Sequence, residues 1–140
     1  MDRVFVIRIA TLYLPVCLTA MAWALRRPGP RARLGLLLGF AWNAATLPVL
    51  QLAAEQASWW SFADTDAQYF GMPIEAYLGW AVLWGVLPQL AFRGQRPEVV
   101  VGVLAIADLL LMPEMEPVLT LDEGWIAGEA IGLLLCVLPA

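Results

Sequence analysis

Five apolar runs, separated by short polar stretches, divide the chain: Val4 to Leu25, Leu34 to Ala54, Ile74 to Phe92, a run from near Val99 to Pro113, and Trp125 to Ala140. A helix rises 1.5 Å per residue, so about twenty residues reach across the ~30 Å hydrocarbon core of a bilayer. The pattern predicts an all-α fold, a polytopic bundle of about five transmembrane helices forming one domain over residues 1–140. Helix breakers mark the first turn, where Arg26-Arg27-Pro-Gly-Pro-Arg-Ala-Arg33 follows the opening run. A signal peptide carries its basic residues before the apolar stretch, whereas here the stronger cluster follows it, so the first run reads as a retained span. The last run holds sixteen residues, ~24 Å of helix, and has no basic flank, which predicts that the natural polypeptide continues into the cytoplasm.

Spacing within the runs predicts faces. Gly35, Gly39 and Asn43 recur every four residues, as do Gly124, Gly128 and Gly132, and small residues at that spacing let helix backbones approach closely. Pro48 removes one backbone hydrogen bond and predicts a kink in the outer half of the second helix. In the third run Trp80 and Trp84 share one side, and Glu75 and Gly79 another.

Composition and charge turn this pattern into a topology. Hydrophobic residues make up 61% of the chain and charged ones 14%, too apolar for a soluble domain without large greasy surfaces. Arg26, Arg27, Arg31, Arg33, Arg93 and Arg96 occupy the first and third connections. Glu55, Asp64, Asp66, Glu114, Glu116, Asp122 and Glu123 occupy the second and fourth, which hold no basic residue. Basic loops stay cytoplasmic, so the N-terminus is expected outside a multi-pass protein of the cell membrane. The formal charge of −4 averages two opposed faces, and no basic, aromatic-interleaved surface suggests a nucleic-acid partner.

The candidate chemistry is narrow. Histidine and lysine are absent, which removes Schiff-base chemistry, a P-loop and any Ser-His-Asp or Cys-His arrangement within this chain. Cys17 and Cys136 lie inside apolar runs and read as packing residues. Arg8, Asn43, Glu75, Asp108 and Glu129 are the polar groups within the spans, where ionisable residues are costly and are functional candidates by default. Two uses compete. In one, Arg8 pairs with Asp108 or Glu129, Asn43 closes the network and Glu75 complements a helix N-terminus. In the other, a carboxyl group in an apolar cavity keeps its proton and delivers it to an alkene, while Trp59, Trp60, Tyr77, Trp80 and Trp84 stabilise the resulting cation. The aromatic stretch from Glu55 to Pro73 serves as an interfacial belt or as a lid over that cavity.

Trp59-Trp60-Ser-Phe62 followed by Phe70-Gly71-Met72-Pro73-Ile74-Glu75-Ala76-Tyr77-Leu78-Gly79-Trp80 resembles the membrane-integral lycopene cyclase domain and the related carotenoid hydratases of carotenoid-producing bacteria, archaea and fungi. The resemblance covers about twenty residues. It implies a short multi-helix unit, acid-initiated chemistry on an isoprenoid polyene, no metal or other cofactor, and Pro73 and Glu75 as site residues walled by Trp59 and Trp60. Ala76 stands where members often carry a second acid, and an Asp-Asn pair usual upstream of the tryptophans is missing. Known cyclases of this type combine two such units, so a second half-domain is an implied partner. The stretch from Gly79-Trp80 through Asp108 to Gly128-Glu129 is similar, more faintly, to membrane segments that precede isoprenylcysteine carboxylmethyltransferase-like domains. The leading expectation is an isoprenoid-binding membrane domain with Glu75 as acid and Asp108 and Glu129 setting its protonation. The alternatives are a non-catalytic scaffold whose glycine seams pack on a partner helix, and a transporter relaying protons through its acids.

Overall fold

The computed structural model describes residues 2–63 and 67–137, so Asp64, Asp66 and the final residues of the last apolar run lie outside the described residues. Among the described residues six α-helices, one 3-10 turn (Pro113–Met115) and four very short strands follow in order. Helix α1 (Arg3–Arg26) is capped at its start by Asp2, whose side chain accepts from the Val4 amide, and ends where Arg27 turns left-handed. Helix α2 (Pro30–Ala57) begins with proline at its first turn, where the missing N–H costs nothing, and stops at a left-handed Ser58. At 24 and 28 residues they are ~36 and ~42 Å long, and both are long and apolar enough to cross a membrane. The shorter α3 (Ile74–Gly85), α4 (Leu87–Ala91), α5 (Pro97–Leu111) and α6 (Trp125–Val137) complete the helical set.

Prolines determine much of this outline. The third apolar run, expected as one helix from Ile74 to Phe92, is broken at Val86, two residues before Pro88. Pro88 has no N–H to offer the Trp84 carbonyl, and its ring would clash there, so the chain restarts as α4. Pro15 and Pro48, by contrast, sit inside continuous helices. The carbonyl that Pro48 leaves without its helical donor belongs to Ala44, and the Tyr77 hydroxyl donates to it at 2.7 Å. Thr11 is likewise freed by Pro15, and the backbone of Gly79 lies directly against its carbonyl.

Helix α3 is the centre of the molecule, flanked by α1 and α2, while α5 packs on α6 and α6 on α2. Close approach needs glycine. A Cβ on Gly79 would strike the α1 backbone at Thr11, and one on Gly39 would strike the Gly85 carbonyl of α3. Trp42 Nε1 of α2 donates to Leu135 O at 2.8 Å and Asn43 Nδ2 to Cys136 O at 3.1 Å, which fastens the end of α6 to α2.

At the opposite end, β1 (Trp60–Phe62) pairs antiparallel with β4 (Leu119–Leu121), setting Trp60 opposite Leu121 and Phe62 opposite Leu119. Strands β2 (Gln68–Tyr69) and β3 (Met72–Pro73) form a second clip. This region differs from an interfacial belt at one residue above all. Trp60 is only 1% exposed, sealed under the β1–β4 clip with Leu119 and Val118, while Tyr69 and Phe70 are exposed.

A carboxyl pair at the wall of an apolar cavity

Asp108 lies in the last turn of α5 and Glu129 in the second turn of α6, and the packing of those two helices brings both carboxyl groups to the wall of one cavity. Asp108 is buried and Glu129 half-buried. Beside them opens a cavity of about 310 Å³, bounded by α1, α3, α5 and α6. Its surface is almost wholly apolar, with Trp80 and Trp84 from α3, Ile7 and Pro15 from α1, and Met112 and Met115 beyond α5. Leu14, Leu18 and Leu111 line it and are also exposed on the outer surface, so the cavity opens sideways between α1 and α5.

Arg8 and Glu75 form a separate pair. The Arg8 guanidinium donates to Glu75 Oε1 at 2.7 Å, with both side chains about three-quarters buried (26% and 24% exposed). The sequence suggested Asp108 or Glu129 as partners for Arg8; the register of α1 against α3 selects Glu75 instead, because Gly79, one turn along α3, draws the two backbones together at Thr11. The contact uses one oxygen, leaving Arg8 Nε and Glu75 Oε2 without a partner.

The other predicted site residues are dispersed. Asn43 is fully buried, but its amide serves the Gly39 and Cys136 carbonyls rather than an acid network. Trp59 packs against Gly124, just before α6, and both Trp59 and Trp60 pack against Gly128 of α6, while Trp60 Nε1 donates to Gln51 Oε1 at 3.0 Å. Gln51 in turn donates to Glu55 at 2.9 Å, forming a chain of polar contacts that the sequence reading missed. The signal was present: Gln51 and Glu55 are polar, four apart, and fall on the face of α2 that carries Leu47 and Ala54. Pro73 is buried in β3, and Tyr77 is occupied by Ala44 and by the ring of Tyr69, 4.9 Å away. Asp108, Glu129, Trp80 and Trp84 therefore assemble at one cavity, and Glu75 with Arg8 forms its own pair. Among the described residues no three acidic or cysteine side chains gather as a metal site would require.

What this arrangement offers chemically is two neighbouring carboxyl groups, two indole side chains and a largely apolar space open to the side. No family model matches the chain, and no curated protein or solved structure is similar to it.

Proposed function

We propose that the chain is a multi-pass membrane domain that admits an elongated isoprenoid-like lipid through the gap between α1 and α5, and that the Asp108–Glu129 pair donates the proton that starts chemistry on it. The carrying observation is the placing of two carboxyl groups, Asp108 and Glu129, on the wall of a largely apolar cavity, with Trp80 and Trp84 beside them. The membrane reading draws support from the apolar exterior: Ile106 and Leu110 of α5 are 61% and 68% exposed, as are Leu37 of α2 (63%) and Met21 of α1 (60%), and lipid is the solvent such surfaces suit. Charge segregation supports a weave with the arginine-rich connections on the cytoplasmic side and the N-terminus outside.

In this mechanism a proton carried by one of the two carboxyl groups passes to a terminal alkene carbon, the electron pair of the double bond forms the new C–H bond, and the cation left behind faces the indole rings. Loss of a neighbouring proton to the carboxylate restores the pair, so the net reaction is an isomerisation and consumes nothing. Glu75, engaged by Arg8, acts in positioning α1 against α3 rather than as the donor.

The test is polyene conversion in cells that accumulate a linear carotenoid, read with pigment co-purification. Asp108→Asn and Glu129→Gln are expected to lower product by roughly 10²- to 10⁴-fold, the range typical of a lost general acid, while still retaining pigment. Product undiminished in both variants would remove the acid role, and a wild-type protein that purifies without apolar ligand would remove the binding role as well.

A further inference from the structure

The largest basic concentration in the molecule surrounds a second cavity at the far end from the β1–β4 clip. It measures about 420 Å³ and lies between the α1–α2 turn, α4 and the start of α5, beside Val137. Its body is apolar, formed by Leu36, Leu90, Phe92 and Val101, with the Gln89 amide in the wall and Arg26 and Arg93 at the rim. Arg26 reaches across the gap to donate to Ala91 O at 3.3 Å, which holds its guanidinium beside the opening. Among the described residues the ion pairs are Arg3–Glu114 and Arg8–Glu75, so neither rim arginine has a carboxylate partner. Glu98, the acid at this end, is exposed in the first turn of α5 and is not part of the wall. Arg33 is turned elsewhere, donating to Pro28 O at 2.9 Å and lying over the Trp23 ring.

We propose that this cavity binds an anionic phospholipid, its phosphate held by Arg26 and Arg93 and its acyl chains lying against the apolar wall and the exposed leucines beside it. The inference rests on the membrane reading above. Guanidinium groups match phosphate oxygens in pairs, and basic pockets between helices at the cytoplasmic surface are where anionic headgroups are recognised. A soluble phosphate compound would satisfy the arginines but leave the greasy wall facing water, so the pairing of rim and wall selects a lipid.

The experiment is native mass spectrometry of the detergent-purified full chain with phosphatidylglycerol and phosphatidylcholine of identical acyl chains, with inorganic phosphate as competitor. At least tenfold preferential retention of phosphatidylglycerol is expected, falling by roughly fivefold per arginine in Arg26→Gln and Arg93→Gln. The pair Arg31→Gln and Arg96→Gln removes the same charge from the same connections but outside the wall, and should keep most of the preference. Equal retention of both lipids by the wild type, or equal losses in the two pairs of variants, would overturn the site. Displacement of the lipid by millimolar inorganic phosphate would overturn the lipid as its occupant. Failure of the membrane reading would show separately, as a chain that fractionates away from membranes and stays dispersed without detergent.

Discussion

Tyr77 and Pro48 are coupled through a carbonyl that belongs to neither. Tyr77→Phe leaves the Ala44 oxygen without a donor in a part-buried setting and should cost about 1–3 kcal/mol, measured by unfolding in detergent. Pro48→Ala restores the helical N–H to that oxygen, so the double variant should recover about 1 kcal/mol or more relative to the sum of the single changes. Additive losses would dissolve the link. The Arg8–Glu75 pair is a quarter exposed, and Glu75→Gln should therefore cost only about 1 kcal/mol. Such pairings were beyond the reach of spacing arguments, which connect residues one turn apart on one helix. Arg8 meets Glu75 across 67 positions and Asn43 meets Cys136 across 93, and these distances are bridged by helix register alone. The polar residues within the apolar runs could be named from the chain; their partners could not.

Among the elements, the glycines separate into those that admit a neighbour and those that do not. Gly79→Leu and Gly39→Leu would push α3 away from α1 and α2 and should each cost more than about 3 kcal/mol, since relief requires backbone movement. Gly102, inside α5 with open space around its Cα, provides the contrast. Gly102→Ala should raise stability by about 0.5–1 kcal/mol through helix propensity alone, and a loss on thermal unfolding would contradict the geometry. The four-residue glycine spacing was legible in the sequence as a set of seams, and Gly39 and Gly128 indeed lie at contacts, though against α3 and the Trp59–Trp60 pair of the same chain. Less legible was the break between α3 and α4. The hydropathy of Ile74 to Phe92 is continuous, and a single proline in an apolar run is compatible with either a bent helix, as at Pro15, or a broken one, as at Pro88.

For the whole molecule, the strongest sequence signal was the alternation of basic and acidic connections, which a helix inventory alone does not carry, because α3, α5 and α6 are each shorter than a bilayer is thick. Orientation can be read directly. In a variant lacking Cys17 and Cys136, Gly29→Cys and Gly94→Cys should label with an impermeant thiol reagent only after the inner side is opened, and Ser61→Cys and Glu123→Cys from outside without opening. Labelling of all four from one side would refute the weave. The sideways opening beside Leu14 and Leu111 has a final consequence for whatever occupies the space it leads to. A room of about 310 Å³ accommodates the tip of a long hydrocarbon and not its length, so the remainder would trail into the bilayer. Each visit would then expose one terminus to the acids, and a molecule with two equivalent ends would have to withdraw, turn around and re-enter to be altered at both.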